Sequence, residues 1–322
     1  MTIHAFAALH ARAALAPFTY EPQPLGPEDV EIAISHCGIC HSDVHIVDGD
    51  WGEVFPAVPG HEIIGTVVAG TGFAPGQRVG VGWQRDSCGT CTWCREGEEE
   101  LCPANQATCM GHFGGFADRI RVNRRFAVPI PDSLDSESAA PLLCGGITVF
   151  SPLRRYAAPG CRVGVIGIGG LGHLALQFAR AMGCEVTAFS RSADKEAEAR
   201  HFGAHHFVTG VPIRGSLDLV LNTAHAVPAL DAFMVGLGPR GVYCQLGAAP
   251  EPLVVPAMAL IGGRRSVCGS ANGSPGAIRD MLAFAAGHGI AAHTEAAPME
   301  RAEEALNRTR RNLARYRMVL TR

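Results

Sequence analysis

The stretch Arg162-Val-Gly-Val-Ile-Gly-Ile-Gly-Gly-Leu-Gly172 runs an apolar segment into a glycine-rich turn, and the fold is read from that junction. Residues 162–166 have the composition of a buried strand, and residues 171–182 carry apolar side chains at helical spacing. Gly167, Gly169 and Gly172 therefore form G-x-G-x-x-G between a strand and a helix, with Ile168, Gly170 and Leu171 completing the loop. Such glycines permit a tight turn and bring a pyrophosphate close to backbone N–H groups at the helix start. An isolated match is weak, but in this context it points to a dinucleotide site.

Working outward, 185–190, 218–222 and 241–246 read as further strands, with helical segments near 194–202 and 227–235. Alternating strands and helices predict a parallel, doubly wound sheet. The segment 207–217 joins two such strands without room for a crossover helix, which normally takes about a dozen residues. Upstream, residues 1–135 have a different texture: short apolar runs at 31–35, 63–68 and 78–82 are punctuated by Gly and Pro, as in an irregular β domain. Helices near 276–287 and 299–308 and a strand at 317–320 close the chain. The basic cluster 308–317 is read as a solvated face. The expected fold class is α/β, with a β-rich part up to about residue 145 and a doubly wound dinucleotide-binding part after it.

Composition bounds the function. The 322 residues are 47% hydrophobic and 18% charged with a net charge near −3, so no general positive field attracts nucleic acid or acidic membrane. No export signal or bilayer-spanning apolar run is read, so a cytoplasmic protein is expected. Twelve cysteines in such a chain suggest metal ligands or buried thiols rather than a disulfide scaffold.

Cys88, Cys91, Cys94 and Cys102 give C-x2-C-x2-C-x7-C, a spacing that lets one loop offer four thiolates to zinc. Four sulfurs close the coordination shell, so this metal is structural. An iron–sulfur cluster shares the ligand type. A nucleic-acid zinc ribbon does not suit the acidic neighbours Glu96 and Glu98 to Glu100.

At the end of the second strand of the cofactor domain, an NAD site places an acid on the ribose 2′-hydroxyl. The chain instead reads Ser190-Arg191-Ser192-Ala193-Asp194-Lys195, and Lys195 is its only lysine. Ser190, Arg191, Ser192 and Lys195 form a cationic, hydroxyl-rich cradle suited to a 2′-phosphate, so NADP(H) is expected over NAD(H).

Three further fragments remain: Cys37-Gly-Ile-Cys40-His41-Ser42-Asp43, Gly60-His61-Glu62 and Leu143-Cys144-Gly145. Alone, each has a bland reading, and Cys37-x-x-Cys40-His41 even matches a haem-attachment pattern. Taken in order with the four-cysteine lobe and the glycine loop, they resemble the zinc-containing medium-chain dehydrogenases/reductases. Within these they resemble the cinnamyl-alcohol-dehydrogenase-like branch, and most of all its bacterial broad-range NADPH-dependent aldehyde reductases. Gly82-Trp83, 141–150, 267–273 and 314–320 extend the resemblance over nearly the whole chain.

The resemblance implies a GroES-like catalytic domain over 1–145 and 274–322 beside a Rossmann cofactor domain over 146–273, two zinc ions per chain and a homodimer built through the strand near 266–270. It makes Cys40, His61 and Cys144 ligands of the catalytic zinc, Glu62 an exchangeable ligand, Cys37 a bystander and Asp43 an orienting group. Ser42 and His45 become the proton relay; an ordinary polar histidine is the alternative for His45. Thr148, Thr223, Gly247 and Ser270 join the cofactor residues. Trp51, Trp83 and the 109–113 stretch are candidates to line an apolar pocket. The implied reaction is reversible reduction of an aldehyde to a primary alcohol by hydride from NADPH. The rivals are cinnamyl-type or polyol oxidation in the same site, and a non-catalytic zinc or nucleotide-binding protein.

Overall fold

In the computed structural model, which describes residues 1–226 and 228–322, strand Arg162–Ile166 is the third of six in a wholly parallel sheet. The order across that sheet is His206–Val208, Glu185–Phe189, Arg162–Ile166, Leu217–Asn222, Leu237–Gln245 and Ser266–Gly269. Chain order therefore reverses between Arg162–Ile166 and Leu217–Asn222, which marks the switch point where such sheets bind ligands. Val163 and Val165 are fully buried, as expected where both faces of a parallel strand are covered. The sheet belongs to a unit spanning Thr148–Ala271.

The link between His206–Val208 and Leu217–Asn222 contains no helix; residues 209–216 cross as turns and extended chain. The helix expected over 227–235 runs Leu230–Gly236, and Val227 lies outside the described residues. The polar helix expected over 194–202 is a 3-10 turn, Ala193–Lys195, followed by helix Glu196–His201.

The second unit comprises Met1–Ile147 and Asn272–Arg322. Its seven-stranded sheet is antiparallel except where Thr294–Pro298 pairs in parallel with Arg317–Thr321. The long strand Asp29–Ile39 is its hub, pairing with Glu62–Gly70, Arg119–Asn123 and Arg317–Thr321. Register shifts at Glu31/Ile32 and Ile34/His36 bend this strand, giving the irregular β texture read from the sequence. Ile32, Val30, Ile63, Val79 and Ile120 form its buried core, each worth about 1.5–3 kcal/mol of apolar burial. Two short helices on this frame carry the chemistry: His41–Asp48 and the 3-10 turn Ala140–Leu143.

The C-terminal basic cluster departs from expectation. Arg317 is 5% exposed and pairs with buried Glu62, because strand Arg317–Thr321 enters the sheet beside Asp29–Ile39. Arg308 and Arg310 are half-buried, held by Glu295 and Asp48.

Candidate active site and cofactor loop

Cys40 sits immediately before helix His41–Asp48, whose third residue, Asp43, accepts the Cys40 backbone N–H at 2.8 Å. The other Asp43 oxygen accepts Gly60 N–H at 2.8 Å and pairs with His61 Nδ1 at 2.9 Å. One buried carboxylate thus fixes two of the candidate ligands and the turn between them. That turn needs its glycine: Gly60 has φ +104°, and a Cβ there would lie 2.7 Å from Phe116 and 2.8 Å from the Cys37 sulfur. Cys144 follows the turn Ala140–Leu143, with its sulfur 4.0 Å from that of Cys40.

One ligand atom from each of Cys40, His61, Glu62 and Cys144 falls within 4.8 Å of the others. His61 Nε2 and Glu62 Oε2 are buried with no hydrogen-bond partner among the described residues. Buried polar atoms are ordinarily satisfied, so these two are directed at something that binds there. Two thiols, an imidazole and a carboxylate are a donor set for zinc, and the residues fit that ion. Cys37 is buried in the sheet and stands outside the cluster.

The electrostatics agree. The hydrogen bond from the Cys144 thiol holds Cys40 well below the usual thiol range, and the same contact drives Cys144 up. Burial raises the Glu62 carboxyl to about 7, against the pull of Arg317. Burial works against charge on His61, but the Asp43 carboxylate, the Cys144 sulfur and the Cys109 contact together outweigh it and hold the ring's pKa high.

Ser42 and His45 lie on the same helix. The Ser42 hydroxyl is 3.6 Å from the Cys40 sulfur. His45 Nδ1 pairs with Asp50 Oδ2 at 2.8 Å, and its ring stacks on Trp51 with centroids 5.0 Å apart. Asp50 went unread in the sequence, Arg317 was read only as part of a solvated basic cluster, and Cys109 only as a pocket-lining candidate. Asp50 lies five residues past His45, but only the left-handed Gly49 turn at the helix end brings it back. Cys109 contacts His61 Nδ1 at 3.8 Å, and no local spacing signals that contact.

Trp83 packs edge-on against His61 at 4.9 Å and against Trp51 at 5.9 Å. Cys109, His112 and Phe113 line a cavity of about 500 Å³ together with Tyr20, Phe55 and Arg85. Arg85 and Arg121 reach this cavity from neighbouring strands, and neither Trp51 nor Trp83 is among the residues that line it.

In the four-cysteine lobe the sulfur separations are 3.9 Å (Cys88–Cys94), 3.6 Å (Cys91–Cys94) and 3.6 Å (Cys88–Cys102). A tetrahedron with zinc–sulfur bonds of about 2.3 Å has edges of about 3.8 Å, so the lobe has the size that zinc requires. Backbone N–H groups of Thr90 and Cys91 point at the Cys88 sulfur and bring its thiol down to about 6.

In the other unit, the glycine loop joins strand Arg162–Ile166 to helix Gly172–Ala181. Gly167 has φ +84°, and a Cβ on Gly172 would lie 1.9 Å from the Gly167 carbonyl oxygen. A Cβ on Gly169 would meet nothing within 4 Å among the described residues, which leaves room for a phosphate against the loop. Thr223 Oγ1 donates to the carbonyls of Ile166 and Gly167 at 2.8 and 3.0 Å, bracing the turn. Ser190, Thr223, Gly247 and Ser270 each follow the C-terminal end of a strand in this one sheet, and Thr148 is buried in helix Gly145–Tyr156. Ser192 N–H reaches Ser190 Oγ at 3.4 Å, Arg191 is exposed beside them, and Lys195 Nζ donates to the Ile168 carbonyl at 2.6 Å. Of the four residues, Lys195 is the one that reaches the glycine loop, while the Ser192 hydroxyl donates to Asp194.

The family profile described as "Alcohol dehydrogenase GroES-like domain" matches residues 26–132, and that described as "Zinc-binding dehydrogenase" matches 170–287. The chain belongs to the zinc-dependent medium-chain dehydrogenases/reductases. Within that class its relatives are those of the cinnamyl-alcohol-dehydrogenase-like branch. The aldehyde reductase of Synechocystis is 42% identical over 99% of this chain and 98% of its own. Among solved structures, a cinnamyl alcohol dehydrogenase from Sorghum bicolor superposes with TM-score 0.94 at 37% identity, covering 100% of this chain and 98% of that one. The cinnamyl alcohol dehydrogenase of Helicobacter pylori, solved with NADP(H), gives 0.92 at 30% identity, with 100% and 98% covered.

Proposed function

We propose that Cys40, His61 and Cys144 hold a zinc ion, with Glu62 as an exchangeable ligand, and that the enzyme reduces aldehydes to primary alcohols with NADPH. The observation that carries this is the buried, unpartnered His61 Nε2 set among two thiols and a carboxylate. When bound, zinc polarises the carbonyl as a Lewis acid and the reduced nicotinamide supplies the hydride. Asp43 fixes the tautomer and orientation of His61, leaving Nε2 as its ligand atom. The Ser42 hydroxyl, beside Cys40, gives the proton that the alcohol product needs. His45 replenishes it: Asp50 holds the Nδ1 proton, Nε2 remains for exchange, and the Trp51 stack fixes the ring plane.

Arg191, Ser190, Ser192 and Lys195 receive the 2′-phosphate, and the NADP(H) in the Helicobacter relative supports this choice. Gly167 to Gly172, Thr148, Thr223, Gly247 and Ser270 complete the cofactor site. A second zinc occupies Cys88, Cys91, Cys94 and Cys102. The catalytic domain comprises 1–145 and 274–322, and the cofactor domain 146–273. The cinnamyl alcohol dehydrogenase relatives favour oxidation of such alcohols as the second reading of the same site.

Strand Ser266–Gly269 is an open sheet edge, and exposed Val254, Met258 and Ile261 precede it in sequence, which supports a homodimer through that edge. Twelve unpaired cysteines suit a reducing compartment, so the cytoplasm is the proposed location. Among the described residues, no helix is long and apolar enough to cross a membrane.

Metal analysis tests the site. The chain should carry two zincs, and His61→Ala should retain one and lose aldehyde-dependent NADPH oxidation. Two zincs retained with full activity would rule out the assignment.

A further inference from the structure

Four cysteines of the cofactor unit serve neither zinc site, and they occur as two opposed pairs. Cys244 on strand Leu237–Gln245 and Cys268 on strand Ser266–Gly269 are register partners in adjacent parallel strands. Such strands run about 4.8 Å apart, within the Cα separations of about 4.4–6.8 Å that a disulfide spans. Directly opposed residues project from the same face, and the two thiols interact. Cys244 is fully buried, whereas Cys268 is half-buried. Helix Gly145–Tyr156 brings two further groups near Cys268: Tyr156, whose hydroxyl favours the thiolate, and Arg155, which adds positive potential. The Cys244 contact, chiefly, lowers Cys268 to about 6; burial opposes this and the Tyr156 hydroxyl and Arg155 reinforce it.

The second pair lacks this environment. Cys161 and Cys184 immediately precede the register partners Arg162 and Glu185, but burial drives both thiols upward. Arg162 adds positive potential at Cys161 too, but burial and the Asp218 carboxylate outweigh it, and Cys161 has no counterpart of Tyr156 acting on it.

We propose that Cys268 and Cys244 form a peroxide-reactive dithiol, with Cys268 as the attacking thiol and Cys244 as the resolving one. The Cys268 thiolate attacks the distal oxygen of a hydroperoxide; the O–O bond breaks, and the alkoxide leaves as an alcohol after taking a proton. Cys268 is then a sulfenic acid. The Cys244 thiol gives up its proton and attacks that sulfur; the S–S bond forms, the S–O bond breaks, and the hydroxyl leaves with the proton as water. The two thiols together lose two electrons, and the peroxide gains two.

The test uses the zinc-replete full chain and tert-butyl hydroperoxide at pH 7, followed by peptide mass mapping without reduction. The expected product is a peptide pair joined through Cys244 and Cys268, reversed by dithiothreitol and formed before any zinc is released to a chromogenic chelator. In Cys244→Ser, dimedone should trap the oxidised Cys268. Without any substitution, iodoacetamide should alkylate Cys268 several-fold faster than Cys161, since a larger thiolate fraction outweighs its lower nucleophilicity. Equal alkylation of Cys268 and Cys161, or zinc release before any link forms, would overturn the proposal.

Discussion

Asp43 makes three contacts from a side chain that solvent does not reach: Cys40 N–H, Gly60 N–H and His61 Nδ1. Removing it leaves those donors buried and frees the imidazole to rotate. Asp43→Ala should therefore weaken zinc binding about 10–100-fold, read by competition with a chelator. An unchanged affinity would mean that the cysteines alone orient the site. Arg191 is the corresponding residue on the cofactor side. Arg191→Asp should raise the Michaelis constant for NADPH far more than that for NADH; equal changes would dismiss the phosphate cradle. The candidate zinc donors stood out in the sequence because cysteine and histidine at these spacings have few other uses in such a chain. Arg317 was not, because its burial against Glu62 depends on which strand lies beside Asp29–Ile39, and local pattern does not encode strand neighbours.

The parallel strands were legible as elements because apolar runs buried on both faces differ from their polar surroundings. Their lateral order was not, although the short 209–216 link already implied an unusual crossover. Helix His41–Asp48, which carries Ser42 and His45, also escaped notice; its eight residues include three polar or charged groups that serve the site rather than the helix. At the other end of the sheet, Arg162 ties two neighbouring strands by donating to Asp218 at 2.6 and 3.0 Å. The Arg162 hydrogen bond holds the Asp218 carboxyl below its ordinary 3.8. A lowered carboxylate contributes stability that is present above the unfolded value and is lost as pH falls through the folded one. The melting-temperature difference between wild type and Asp218→Asn should be steady near neutral pH and close below pH 3.8. Both groups are about two-fifths exposed (39% and 41%), so the effect should be about 1 kcal/mol or less. A difference independent of pH would remove this pair from the acid limb.

At the scale of the molecule, one unit holds the candidate metal donors with Ser42 and His45, and the other holds the glycine loop with its candidate phosphate cradle. The proposed hydride transfer needs both sets. The most direct measurement is NADPH oxidation by zinc-replete protein across a panel of aliphatic and aromatic aldehydes, with NADH as control. Turnover with several aldehydes, much faster with NADPH than with NADH and absent in His61→Ala, is the predicted result. No turnover of any aldehyde, or of any alcohol in reverse, by protein shown to contain its zinc would contradict it.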